Sequence, residues 1–147
     1  MGMDLVPVDM REGADEESTH FHANWSGWSV IASMLDSLGA DMTGFSGSND
    51  GEVVSREVAE SWGVLVEENF DNLYVLEVFD ESRPDYSRER TLILPGTGYE
   101  LITWAQYKGD NGELKVTIRR VSDAENLSGF IKHFAKFCQN SGGFAQY

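Results

Sequence analysis

The chain is organised around Phe21-His22-Ala23-Asn24-Trp25-Ser26-Gly27-Trp28-Ser29-Val30-Ile31-Ala32-Ser33-Met34-Leu35-Asp36-Ser37-Leu38-Gly39. Trp28, Ile31, Ala32, Leu35 and Leu38 recur at the i, i+3, i+4, i+7 spacing of one buried helical stripe, and Ser29, Ser33, Asp36 and Ser37 turn away from it. Asn24 or Ser26 caps the start, and Gly39 suits the position just past the end. A helix over about 25–38 is predicted, with Trp25 and Trp28 at its mouth.

Downstream, Asp41 to Asp50 is rich in Gly and Ser and reads as a structured turn, ending in Asn49-Asp50-Gly51. Ser55 then caps a second helix over about 55–72. Val58, Ala59, Trp62, Leu65, Val66 and Leu73 share its apolar face, while Arg56, Glu57, Glu60, Glu67, Glu68 and Asp71 cover the other. Residues 73–79 fit either a continuation of this helix or a strand; their β-branched and aromatic content favours the strand. Thr91 to Leu94 is a short buried-strand candidate.

Tyr99 to Lys108 and Glu113 to Val121 form a hairpin around Gly109-Asp110-Asn111-Gly112. A two-residue turn would oppose Lys108 and Lys115, whereas a four-residue loop opposes Lys108 and Glu113, so the longer loop is preferred. One hairpin face then carries Leu114, Val116 and Ile118, and the other carries Ile102, Trp104, Lys115 and Arg119. A last helix over about 125–139, started by Asp123 or Ser128, buries Leu127, Phe130, Ile131, Phe134 and Cys138. Ser141-Gly142-Gly143 ends it, and Phe144 folds back as an anchor. The predicted fold is α+β: a small antiparallel sheet (the hairpin at about 99–121) packed against three helices (about 25–38, 55–72 and 125–139). Residues 1–20 read as an acidic N-terminal arm, in which Leu5-Val6-Pro7-Val8 is at most a short edge strand. Residues 21–147 read as one domain.

Of the 147 residues, 41% are hydrophobic, enough to build a core. The net charge of -14 is unevenly placed: residues 1–80 hold 17 acidic side chains against Arg11 and Arg56, a net of -15, and residues 81–147 hold nine basic against eight acidic, a net of +1. An acidic half repels phosphate, so direct nucleic-acid binding is disfavoured, and the same charge suits a basic protein partner or simple solubility. One cysteine, Cys138, allows no intrachain disulfide, and the first 20 residues lack a signal-peptide pattern. No apolar run approaches the ~18 residues of a membrane span. The expected location is the cytoplasm.

Signatures of catalysis are missing: there is no phosphate-binding P-loop, no H-E-x-x-H, no C-x-x-C and no G-x-S-x-G. Gly96-Thr97-Gly98 reads as a turn. His133 and Cys138 share a helix at roughly 140° to one another, too far round the axis to act as a dyad. His20 and His22 share a face of an extended segment near Glu16 and Glu17, but no third ligand stands at a recognisable spacing. No catalytic residue, metal or cofactor is therefore assigned. Trp28 and Trp62 fall mid-stripe and belong to the core, whereas Trp25 and Trp104 point off their buried faces. Each of the latter two either lines a binding surface or is covered by a neighbouring element.

Three motifs, Phe21-x-x-Asn24-Trp25-x-x-Trp28, Asn49-Asp50-Gly51-x-Val53-Val54-Ser55 and Phe137-Cys138-x-x-Ser141-Gly142-Gly143-Phe144, resemble those of a loose group of small bacterial proteins without an established activity. The resemblance covers residues 21–70 and 127–144 and leaves the hairpin unmatched. It implies a bacterial, cytoplasmic protein of mobile-element origin, and no mechanism. Read physically, the motifs are caps, turns and core anchors.

The expected function is a non-enzymatic protein-binding domain, immunity-like or regulatory, with Glu60, Glu67 and Glu68 of the second helix, together with Asn24, Trp25 and Trp104, as candidate contact residues. The alternative is a small-molecule binder or minor enzyme with a pocket near Trp25, Asn24 and the Asn49-Asp50-Gly51 turn.

Overall fold

A computed structural model describes residues 2–14, 19–80, 88–93 and 114–147 of the chain. Strand β1 (Gly2–Pro7) lies inside a four-stranded antiparallel sheet, between β2 (Phe21–Asn24) and β7 (Phe144–Gln146), with β3 (Val53–Val54) beyond β7. The expectation of an N-terminal arm, or at most an edge strand, is thereby corrected for residues 2–7. Met3 and Leu5 alternate with Asp4 and Val6 at the two-residue period of a half-buried strand, and both are fully buried. Pro7 closes the strand, where a missing N–H costs the ladder least. Phe21, Ala23, Val54 and Phe144 share that inner face, each no more than 2% exposed.

A second, three-stranded antiparallel sheet has the order β5-β4-β6, from β4 (Tyr74–Asp80), β5 (Arg88–Ile93) and β6 (Leu114–Arg120). Residues 74–79 are thus strand. Of the expected hairpin, β6 is the second arm; its first arm, its turn and Trp104 lie outside the described residues. The described partner of β6 is β4. Ile118, placed on an apolar hairpin face by the sequence, is 56% exposed. Arg119 instead stands level with Val75 and donates to Glu77 Oε1 at 2.9 Å, compensating a carboxylate that is almost buried.

Helix α1 (Trp25–Ser37) is sandwiched between the inner face of the first sheet and β5. Because two layers press on it, it buries Val30, Met34 and Ser37 as well as Trp28, Ile31 and Leu35. Ser33 and Ser37 therefore do not turn to solvent as their polarity suggested. Their hydroxyls donate to Val30 O (2.8 Å) and Met34 O (3.0 Å), and Ser33 Oγ also accepts from Leu92 N at 3.2 Å, covering a backbone N–H of edge strand β5.

Helices α2 (Arg56–Asn69) and α3 (Glu125–Asn140) pack along one another. A Cβ at Gly63 would lie 2.8 Å from Ala135 O, so the glycine lets the two backbones come close there. Ser55 caps α2 through a bond from Val58 N, and a 3-10 turn over Phe70–Asn72 ends it. Neither Asp123 nor Ser128 caps α3: Ala124 occupies the cap position with no side-chain bond, after a 3-10 turn over Val121–Asp123. With that turn closed by Ala124 N to Val121 O (2.9 Å), the backbone alone sets the entry of the helix.

Aromatic rings in contact run through the core. Phe21 lies 5.2 Å from Phe130 and 5.4 Å from Phe134 between ring centroids; Trp62 lies 6.4 Å from Phe134 and 5.9 Å from Phe144.

Candidate functional site

The loop over residues 41–51 is tied down from three directions. Trp62 Nε1 donates to Asp41 O at 2.7 Å and Trp28 Nε1 to Ser46 O at 2.8 Å, so each core indole satisfies its polar edge on the loop backbone. Phe45 stacks on Trp28 with centroids 4.9 Å apart and planes 6° apart. From the third side comes Gln146 of β7, fully buried. Its Oε1 accepts from Ser46 N (2.9 Å), and its Nε2 donates to Gly44 O (2.8 Å) and Glu52 O (2.9 Å). Within the loop, Thr43 bonds Asp41 through its hydroxyl and its backbone N–H, and these bonds hold the Asp41 carboxyl below the usual carboxylate range. Asp50 accepts from Ser48 Oγ at 3.1 Å, and Gly51, at φ +89°, lets the Tyr147 ring approach. The Asn49-Asp50-Gly51 turn is thus a latch on the last strand.

Asn24, the N-cap of α1, accepts from Gly27 N at 2.7 Å and lines an open groove of about 390 Å³ between the starts of α1 and α3. Ala23, Val30, Leu127 and Phe130 form its apolar floor; His22 and Asn126 stand at its rim. Gly27 makes room for this geometry, since a Cβ there would sit 3.2 Å from both the Phe130 ring and Asn24 Oδ1. Trp25 is 38% exposed, and neither it nor the Asn49-Asp50-Gly51 turn is among the described residues lining the groove.

The carboxylates of α2 are exposed, but the fold sets bases against them. Glu60 shares a polar pocket of about 370 Å³ with Arg11 and Arg56, and Arg56 donates to Asp9 Oδ2 at 2.6 Å. Glu67 and Asp71 form one wall of a groove of about 620 Å³ whose opposite wall is Lys132 and Lys136 of α3, over a floor of Val66, Phe70 and Ala135. Lys132 Nζ lies 5.0 Å from the Phe70 ring centroid, within cation–π range. Sequence spacing along α2 showed Arg56 as the one offset to this ridge; the apposition of α3 and of the segment carrying Arg11 supplies the rest.

Cys138 is fully buried, and burial pushes its thiol well above the ordinary range, so it is no nucleophile in the folded chain. His22 Nδ1 lies 2.8 Å from Asp4 Oδ1, and His20 Nε2 lies 3.9 Å from the same oxygen. Asp4 and His22 are directly opposed across β1 and β2, a pairing that sequence spacing could not reveal. Glu16 and Glu17, the carboxylates considered beside these histidines, lie outside the described residues. No group of three or more His, Cys, Asp or Glu among the described residues is arranged to hold a metal ion. Among the described residues no helix is long and apolar enough to cross a membrane.

Comparison with protein-family models, curated proteins and solved structures found no match to the chain.

Proposed function

We propose that the chain is a non-catalytic protein-binding domain, immunity-like or regulatory, whose acidic half engages a basic protein partner. The observation that carries this reading is the concentration of charge: residues 1–80 hold a net of -15. Their described carboxylates stand largely at the surface, Glu52, Glu57, Glu60, Glu67, Glu68 and Asp71 among them. Such a field speeds encounter with a cation-rich surface and fades as salt shortens the ~8 Å screening length. Cytoplasmic residence, expected from the sequence, is part of the same proposal.

The test is a pull-down at low salt from a bacterial lysate, with wild type beside a Glu60→Lys, Glu67→Lys variant. Wild type is expected to recover a basic protein that a high-salt wash removes and that the variant, less acidic by about four charges, recovers in smaller amount. Equal recovery from both leaves the carboxylates of α2 as solubility features.

The groove at Asn24 favours a second reading, a small-ligand site. Its apolar floor and the amide groups of Asn24 and Asn126 suit a small molecule with an apolar body and one polar edge. Saturation-transfer NMR with a fragment library, repeated on Asn126→Leu, separates this reading from the first.

A further inference from the structure

The two faces of the four-stranded sheet are built differently. The inner face is sealed by the helices. On the outer face the register aligns Val6 of β1, Ala145 of β7 and Val53 of β3 in one row across three strands. Val8, whose N–H donates to Gly143 O at 2.9 Å, continues the apolar surface just past the end of β1. Tyr147 is paired with Asp4 through both backbone bonds (2.7 and 2.9 Å) and flanks the row on the other side. Val6 is 44% exposed, Val8 59%, Val53 54% and Tyr147 55%. A solvated sheet face ordinarily alternates polar residues outward; this one presents valines and a tyrosine.

The groups bordering the patch are acidic. Asp4 lies in the face itself, opposite His22, and exposed Asp9 follows Val8. Against them among the described residues stand Arg56, bonded to Asp9, and His20 and His22, the latter bonded to Asp4. From Val8 to Asp4 the patch runs ~13 Å along the strand, and from β1 to β3 it is ~10 Å wide, about the footprint of a single helix laid on a sheet.

We infer that this outer face is the docking surface for the basic partner, and that the partner seats one amphipathic helix there, its apolar stripe on Val6, Ala145 and Val53 and its Lys or Arg side chains over Asp4 and Asp9. The inference rests on the proposed function and gives it a surface. A second copy of the chain fits poorly, because it would bring Asp4 and Asp9 of two copies together, each on a chain of net charge -14. The ridge on α2 fits less well, because Arg11, Lys132 and Lys136 already face it.

The experiment titrates 15N-labelled protein with a synthetic amphipathic Leu–Lys helix of about 18 residues, and separately with its Leu–Glu counterpart, at low salt and at 0.15 M salt. The Leu–Lys peptide is expected to shift the amide signals of Val6, Val53, Ala145 and Tyr147, more strongly at low salt, and the Leu–Glu peptide to shift none. A Val6→Thr, Val53→Thr variant keeps β-branched side chains and is expected to bind about tenfold more weakly with an unchanged melt. If that pair disturbs folding, the single Val53→Thr on the two-residue edge strand serves, and the wild-type shift map stands by itself. Shifts confined to α2, indifferent to the threonines, overturn this surface and leave the basic-partner reading standing. Absence of any binding at low salt overturns both. A dimer through this face in sedimentation overturns the assignment of a basic helix.

Discussion

Replacing Gln146 by methionine keeps the length and approximate volume of the side chain and removes its hydrogen bonding. Gln146 is fully buried and makes three side-chain bonds to the loop and to Glu52. Glu52 O keeps a second donor, the backbone N–H of residue 146 itself at 3.0 Å, so its loss is mild. Ser46 N and Gly44 O lose the partner that the side chain supplied. At about 1–3 kcal/mol for each group left unsatisfied, reduced by the extra apolar burial of methionine, the expected destabilisation is ~2–4 kcal/mol. For a domain of this size, 3 kcal/mol corresponds to a fall in Tm of about 6–12 °C. Urea melts measure the loss, and hydrogen exchange locates it: the Ser46 amide should exchange much faster while amides in α3 stay protected. Gln146→Glu should cost more, since a carboxylate can accept from Ser46 but offers nothing to the Gly44 and Glu52 carbonyls and buries a charge. A loss below about 1 kcal/mol for Gln146→Met, with Ser46 exchange unchanged, would refute the reasoning that this side chain pins the loop.

Two glycines with similar backbone angles should respond differently to alanine. Gly39 (φ +70°) has open space around it and should cost ~1–2 kcal/mol, whereas at Gly142 (φ +67°) a Cβ would overlap the Asp9 carbonyl, and the loss in a urea melt should be at least ~2 kcal/mol greater. Equal losses would mean that the segment after β1 swings away freely. Trp28→Ala and Trp62→Ala should each cost ~3–5 kcal/mol in denaturant melts, the range for removing a large buried aromatic, and values below 1 would contradict the packing described. Cys138 should resist a thiol reagent at pH 8 until the chain unfolds. Its thiol pKa is raised in the folded state, so its contribution to stability is complete below about pH 8.5 and is lost as pH rises through the higher folded value. A Cys138→Ala variant, compared by melts at pH 7 and pH 10, isolates that slope.

Local signals in the sequence reached the helices and their anchors. The stripe through Trp28, Ile31 and Leu35, the caps Asn24 and Ser55, and the return of Phe144 all follow from spacing and short-range hydrogen bonding, and the structure has them. The first sheet was illegible for a physical reason. Its strands run from two to six residues, and β1 finds its partner β7 at the opposite end of the chain, so no nearby residue encodes the pairing. Ser37 misled because a serine that bonds the carbonyl three residues back is no longer polar to its surroundings. Of the expected contact residues, Asn24 lines a groove and Trp25 is exposed, while Glu60 and Glu67 face bases contributed by other segments. The valine row exists only through register, which places Val6 beside Val53 across Ala145.

The position of β7 between β1 and β3 also has a consequence for synthesis. In synthesis β1 is made well before β7, and β1 can pair early with β2, the strand next along the chain. Its other edge, and the seat for Gln146 beneath the 41–51 loop, stay vacant until residues 144–146 emerge. Until then Met3, Leu5 and Phe21 lack the Phe144 side of their core, and an unpaired strand edge is exposed beside them. Pairing strands so far apart in the chain pays loop-closure entropy before any contact is gained, which slows folding. A chain without residues 144–147 would carry all three helices and lack the strand that completes the first sheet, which makes it a substrate for chaperones and proteases rather than a slightly weakened protein.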